Sequence, residues 1–291
     1  MLEKVDCEAC GSPGRCIHRP IPDRGAWKTY QCPDCGLLWA SPMNEQGMDQ
    51  WASSRADPRV YRQNKTRHER RLRAQLLRLR RVSGRDPGPD LIDIGCGSGH
   101  LLEVAAALGY RVIGLDVSMT AVAELAPRLR VMVGDLDAAP PPGMHDVACA
   151  LNVLEHSLRP SIFLRNIGLS LRPAGFLLLE TPTADGLWHR VNRIAARLLG
   201  RPLEAPVAPS GHRYLFNPLA IRQLLDRAGF EVVAMRGLVS PYRELLGKLR
   251  AQRRPAWFIA AFTVAWCLSL LPGLGNRLEV IARPRPALAN G

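Results

Sequence analysis

The stretch Asp90–Val104 reads DLIDIGCGSGHLLEV. Its first half is an apolar run of strand type, and its second half carries apolar residues at helical spacing. Between the halves lie Gly95, Gly97 and Gly99. A strand that turns through glycines into a helix has the form of a nucleotide-binding turn. The spacing narrows the ligand. A dinucleotide fingerprint needs G-x-G-x-x-G, but the third position here is His100. A P-loop needs a lysine after its last glycine, and none is present. Asp93 stands two residues before Gly95, at the end of the strand. Its carboxylate would repel a pyrophosphate and attract a cation. S-adenosylmethionine carries an ammonium and a sulfonium and no phosphate, so the pattern favours that cofactor.

Reading outward, RVIGLD is a second strand ending in Asp116, placed to accept both ribose hydroxyls. Asp135 closes VMVGD, where an adenine edge would lie, and Leu136 is placed to pack on the ring. Asn152, closing the fourth apolar run HDVACALN, completes the cofactor set. Helical patterns separate these runs: HLLEVAAALG, MTAVAELAPRL and PSIFLRNIGLSLRP, the last followed by the strand GFLLLETP. Strands alternating with helices predict an α/β fold, a parallel sheet covered on both faces. The strand ends and their loops then share one edge, where a ligand sits.

The 291 residues suffice for one large domain and a small one. We divide them into a Cys-, Pro- and Gly-rich module (1–42), a basic helical linker (43–87) and a cofactor domain (88–291). Insertions fall at about 185–205 and 240–275 in that last domain. In the first module Cys7-x-x-Cys10 and Cys32-x-x-Cys35 flank 21 residues. Two such pairs supply four thiolates, a closed tetrahedral set for structural zinc. Cys16 and His18 are spare candidates. The start MLEKVDCEAC has no apolar signal core, which predicts a cytoplasmic protein and metal binding rather than disulfides.

The net charge of +13 is uneven. From Arg59 to Arg85 there are eleven Lys/Arg and one acid, Glu69, a balance of +10. Such a segment can meet nucleic acid or an anionic membrane. The plainer expectation is a solvated helix docked by Leu72, Leu76 and Leu79. Ala256–Leu274 has no charged residue for 19 positions, long enough to span a bilayer. The flanking runs FEVVAM and RLEVIA should pair in one sheet, so both lie on one side and the segment is a buried or an interface-dipping helix. With the basic amphipathic pattern LWHRVNRIAARLLGR, it could form a surface for membrane or a lipid-linked substrate, with Arg190, Arg193, Arg197 and Arg201 facing phosphates.

Taken together, LIDIGCGSG, VIGLD, GDLDAAP and HDVACALNVLEHSLRP resemble the successive motifs of the class I S-adenosylmethionine-dependent methyltransferases, over about residues 88–283. The resemblance implies a Rossmann-like, seven-stranded, mostly parallel sheet whose last strand is antiparallel, with FEVVAM and RLEVIA as the final pair. It also implies that Asp93 and Gly95 lie near the methionine part, Asp116 at the ribose and Asp135 at the adenine. YQCPDCGLLWASP resembles the zinc ribbon ahead of some small-molecule methyltransferases, and some ribosomal-RNA methyltransferases also start with a zinc finger. GHRYLFNPLAIRQLLDRAGFEVV resembles methyltransferases acting on sugars, quinones and other small molecules. The expected acceptor is therefore a small molecule, reacting through oxygen on a sugar, quinone-like or lipid-linked compound. An alcohol or phenol must lose a proton, and histidine is the usual base near neutral pH. His156, beside the expected methyl position, and His212, in the loop closing over the pocket, are the catalytic candidates. Glu155 is placed to orient the acceptor or a neighbouring loop. ALNVLEH stands where an N-P-P-Y signature of base methylation would be. The rival readings are an RNA methyltransferase gripping phosphates with the ribbon and basic helix, and a non-catalytic scaffold with a relict cofactor site.

Overall fold

The computed structural model describes residues 5–18, 27–43, 58–84, 86, 88–187, 190, 207, 211–240, 242, 246–247, 256–271 and 274–286. The chain opens with β1 (Arg15–His18), β2 (Lys28–Gln31), β3 (Leu38–Ser41) and α1 (Pro58–Ser83). Next come β4 (Asp90–Ile94), α2 (His100–Ala106), β5 (Arg111–Asp116), α3 (Met119–Leu125), β6 (Val131–Val133) and β7 (His145–Leu151). A short 3-10 turn, Leu154–His156, leads into α4 (Pro160–Leu169) and β8 (Leu171–Pro182). The last elements are β9 (Tyr214–Leu215), α5 (Pro218–Arg227), β10 (Phe230–Leu238), α6 (Ala256–Ser269) and β11 (Arg277–Pro284).

Seven strands form one sheet in the order β10-β11-β8-β7-β4-β5-β6. Neighbours from β8 to β6 pair in parallel. Only β11 runs antiparallel to its neighbours in this sheet. This is the expected mostly parallel arrangement with FEVVAM and RLEVIA as the closing pair. The alternation of strand side chains sets the two faces. In β4, Leu91 joins one core cluster with Leu101, Val147 and Leu178, while Ile92 and Ile94 join the other with Leu164, Ile167 and Leu224. Burial on both faces is why this strand is nearly continuous in apolar residues.

The basic segment is not a linker apart from the sheet. Leu72, Leu76 and Leu79 are at most 2% exposed and pack with Leu91, Val147, Phe176 and Ile281. Its charges reach inward as well. Arg71 and Gln75 bond Glu180 of β8 and Arg78 bonds Glu279 of β11. Arg80 lies 4.6 Å over the Tyr110 ring. The i, i+4, i+7 leucines thus make α1 a layer of the sheet domain. Leu76→Ala is expected to cost about 2–5 kcal/mol in urea unfolding, whereas exposed Leu77→Ala should stay within about 0.5 kcal/mol. Equal values for the two would mean that α1 does not share the core.

The first module is likewise not a separate body. β1, β2, β3 and β9 form a second, antiparallel sheet. β9 lies just after His212 and Arg213, in the stretch placed above as the loop closing over the pocket. Its two residues are too short to show a period, yet Leu215 pairs with Leu38 and Tyr214 with Trp39. Tyr30 stacks on Trp39, and both share a core with Tyr214, Phe216 and Ile221.

Helix α6 falls within the apolar stretch, and β10 and β11 on either side of it pair as expected. No helix among the described residues is long and apolar enough to cross a membrane. Phe262 is buried, but Val264, Leu268, Leu270 and Leu271 are exposed, so the segment is not wholly buried. Trp266 Nε1 donates to Ser240 O at 2.9 Å, and the Tyr242 hydroxyl meets Thr263 Oγ1 at 2.7 Å. The amphipathic pattern LWHRVNRIAARLLGR lies outside the described residues except for Leu187 and Arg190.

Candidate active site

The glycine turn needs its glycines. Gly95, Gly97 and Gly99 have φ of 70°, 52° and 79°, the left-handed region that costs side-chain-bearing residues energy. A Cβ on Gly95 would stand 2.4 Å from Val153 Cγ2, and one on Gly99 2.7 Å from Leu129. Gly97 has nothing nearer than 3.8 Å, so the turn is open there for a ligand's approach. The N–H groups of Gly95 and Cys96 both donate to Leu115 O, tying the turn to β5. Cys96 packs over Gly114, where a Cβ would meet its Sγ at 2.8 Å. That contact accounts for a small residue inside the loop.

Asp116 is fixed at the end of β5. Gly97 N–H donates to its Oδ2 at 2.8 Å and Ser118 N–H to its Oδ1 at 2.9 Å. Each carboxylate oxygen keeps a second lone pair for a hydroxyl. Asp93 is 4% exposed. Burial, and then the Asp116 charge, push its carboxyl well above the ordinary range. The site therefore disfavours a second negative charge and favours a cation that restores one. Asp135, after β6, is exposed and its Oδ1 accepts Asp137 N–H at 2.8 Å. Leu136 is 3% exposed and packs inward in the core, so its side chain is not presented on the surface. Asn152, after β7, is the non-glycine residue with positive φ, 57°, among the described residues. Its Nδ2 donates to Glu180 Oε1 at 3.2 Å.

The histidine candidates come together. The rings of His156 and His212 lie 5.1 Å apart, edge to face. His156 is 3% exposed, and its Nδ1 is 2.9 Å from Gly211 O. A carbonyl only accepts, so Nδ1 carries the proton and Nε2 holds a lone pair. Burial, and then His212, depress His156 to about 4, which keeps it neutral at pH 7. His212 is exposed at the rim. Beneath them Glu155 is wholly buried and raised to about 8 by desolvation. Thr181 Oγ1 donates to its Oε2 at 3.0 Å. Glu155 O accepts Arg213 N–H at 2.8 Å, and an Arg213 Nη1 donates to His156 O. Glu155 thus ties down the loop that carries His212. Three further histidines have packing or hydrogen-bond settings: His145 Nε2 meets Pro142 O, and the His68 and His100 rings lie edge to face.

Three residues were missed by sequence reasoning. Asp137 accepts Ser157 Oγ at 2.5 Å and Leu158 N–H at 2.6 Å, fixing the turn after His156. Arg213 is 1% exposed and bridges that turn to β3, since Ala40 N–H donates to Arg213 O. Glu180 gathers Arg71, Gln75, Asn152 and Arg277. Asp137 sits in GDLDAAP and was in plain view; the partners of the other two are set by distant chain segments.

The four cysteine sulfurs Cys7, Cys10, Cys32 and Cys35 lie within 4.8 Å of one another, with pairs at 3.5 and 3.3 Å. Four thiolates at about 2.3 Å from one zinc would be about 3.8 Å apart, so the donor set fits that ion. Each pair lies on a tight turn: Gly11 N–H donates to Cys7 O and Gly36 N–H to Cys32 O, with both glycines at positive φ. Cys16 is exposed and outside this cluster. Asn217, the N-cap of α5, donates from Nδ2 to Cys35 O at 2.8 Å.

A family model described as a methyltransferase domain matches residues 64–235. Among curated proteins, a probable S-adenosylmethionine-dependent methyltransferase of Mycolicibacterium smegmatis is 34% identical over 156 residues, 52% of this chain and 56% of that one. A ubiquinone biosynthesis O-methyltransferase of Burkholderia pseudomallei is 27% identical over 164 residues, 52% of this chain and 68% of that one. The chain thus spans about half the length of the mycobacterial relatives it matches. The fold is shared with a Burkholderia thailandensis 1,6-didemethyltoxoflavin-N1-methyltransferase, at 16% identity and TM-score 0.56 over 92% of this chain and 99% of that one. With the family model covering more than half of its length and its glycine turn, acidic strand ends and single reversed strand all in place, the chain belongs to the class I methyltransferase family.

Proposed function

We propose that this protein moves a methyl group from S-adenosylmethionine to an oxygen of a small-molecule acceptor. The observation that carries the reading is the shared sheet edge. An Asp116 carboxylate held by Gly97 N–H stands on the same edge as a buried, neutral His156 whose Nε2, 4.0 Å from Glu155 Oε1, is the acceptor nitrogen. When bound, the cofactor supplies a methyl on a sulfonium. Asp93, Gly95, Gly97 and Gly99 would hold its methionine part, Asp116 its ribose and Asp135 its adenine, with Asn152 beside them. His156 takes the acceptor's proton at Nε2, and the 211–213 loop with His212 excludes water. Zinc on Cys7, Cys10, Cys32 and Cys35 is structural, because four thiolates leave no open position. An oxygen acceptor agrees with the ubiquinone-type relative, and the exposed Val264, Leu268, Leu270 and Leu271 suit a lipid-linked or quinone-like acceptor presented at a membrane surface.

The test is label transfer. With methyl-labelled cofactor and fractionated cell extract, label should enter the small-molecule or lipid pool. Entry into RNA, with steep loss as salt rises, would favour the RNA reading, for which exposed Arg67, Arg70 and Arg73 remain available. Cofactor binding without any label transfer would favour a scaffold. His156→Gln should lower kcat by roughly 10²–10⁴-fold and leave cofactor affinity unchanged. Because His156 sits near 4, wild-type kcat should lack an inflection between pH 6 and 7 from this group. An unchanged kcat in the variant would remove His156 from catalysis.

A further inference from the structure

At the same sheet edge, on the far side of Asn152, four arginines meet two buried carboxylates. Glu180 takes Arg71 and Arg277, at 2.6 and 2.8 Å. Glu279 takes Arg78 and Arg236, at 2.9 and 2.7 Å. Both glutamates are at most 1% exposed. Desolvation by burial pushes Glu180 up, but the Arg71 and Arg277 charges outweigh it and hold the group at about 2, so it is fully ionised at neutral pH. Four positive charges against two negative ones leave an excess of two.

Three of these arginines, Arg71, Arg236 and Arg277, line a cavity of about 170 Å³ with Gln75, Ser240 and an apolar wall at Leu238. It is smaller than the roughly 300–1,000 Å³ of a whole-ligand pocket. It suits one functional group, not an entire acceptor. The guanidinium groups have donors to spare. Among the described residues Arg277 spends only Nη1, on Glu180, out of its five N–H donors. The side chains of Arg71, Arg277 and Arg236 keep 24%, 20% and 41% of their surface exposed. Gln75 supplies a second, independent sign. It is 1% exposed, lines the cavity, and among the described residues its Oε1 has no hydrogen-bond partner. Leaving a buried acceptor unpaired costs about 1–3 kcal/mol, which a ligand donor next to the anion would recover.

Position links the cavity to methyl transfer. Arg277 pairs with Pro182 at the C-terminal end of β8, and with Leu238 at the end of β10. Glu180, which organises the arginines, also holds Asn152 after β7. We propose that this arginine-lined cavity is a subsite for an anionic group, carboxylate or phosphate, carried by the methyl acceptor. The assignment of the anion to the acceptor rests on the methyl-transfer reading; the anion site itself does not.

Inorganic phosphate is the probe. It should raise the thermal midpoint of the full chain in a saturable way. Arg236→Gln should weaken that response at least tenfold in phosphate concentration, and Arg236→Lys, which keeps the charge, should weaken it less. Arg283→Gln, which removes an equal charge from an exposed pair with Glu231, should respond as wild type does. Identical responses in all four proteins, or none in wild type, would overturn the subsite. Flotation on phosphatidylglycerol vesicles assigns the source: capture lost in Arg236→Gln places the anion on a lipid, and capture retained or absent places it on a soluble acceptor. S-adenosylmethionine calorimetry run alongside keeps the two readings apart. Loss of the phosphate response with cofactor binding intact sinks the subsite alone.

Discussion

Chelation of the metal, or replacement of Cys35 by serine, is expected to abolish methyl transfer and not merely to loosen the N-terminus. A structural zinc contributes roughly 10–16 kcal/mol in small zinc modules, comparable to the whole stability of a typical domain. Here the loss travels. β3 pairs with β9, and the residues just before β9 are His212 and Arg213. Arg213 is tied to Ala40 on one side and to Glu155 and His156 on the other. If zinc holds the four thiolates, its removal would take the anchor from the second sheet and the frame from the loop at the histidine pair. The check is threefold: about one zinc per chain, loss of kcat on chelation, and a red shift in emission as Trp39, now 1% exposed, meets water. Cys16→Ser, outside the cluster, should leave metal content unchanged. A chelated protein that keeps full activity would disprove the coupling.

Asp93→Asn should move stability and binding in opposite directions. In the ligand-free protein Asp93 has a raised carboxyl, because burial and Asp116 both oppose its charge. Its folded value lies above its unfolded one. The group therefore costs the fold stability as pH rises above the ordinary 3.8. The amide removes that cost, so the thermal midpoint at pH 7 should rise. Cofactor affinity should fall by about 1.5–3 kcal/mol, the worth of a hydrogen bond to a charged group, or roughly 10- to 150-fold. Thermal unfolding and calorimetry on the same sample decide it. A variant that is less stable yet binds normally would contradict the account of Asp93 as a cation receptor. Stability sacrificed at a site of function is a common trade.

The sheet was legible in the sequence because its signals are local. LIDIG, RVIGLD and HDVACALN carry their burial in their own composition, and glycines and acids mark where they end. The docking of α1 was legible in part: Leu72, Leu76 and Leu79 announced a face. Their partners did not show, because Arg71 and Glu180 are 109 residues apart. That distance also hid the arginine cavity. β9 escaped because two residues cannot display an alternation. The role of Leu136 was read from its place in the chain, which says nothing of which way a side chain turns; it turns inward. The pairing of His156 with His212 was reachable only as two separate candidates, since loop 211–213 is positioned by a strand near the start of the chain.

That strand pairing also orders events during synthesis. β3 leaves the ribosome long before Tyr214 and Leu215 exist, so its outer edge waits unpaired while some 170 further residues are made. An open edge of Leu38, Trp39 and Ala40 is a template for other chains. The four thiols, all within the first 35 residues, are available to metal throughout that interval. Metal capture would fold the turns early, while the edge stays open until Arg213 and β9 arrive to cover it. Overexpression faster than the chain can close this gap should send the protein to aggregates through its first sheet, not through its cofactor domain.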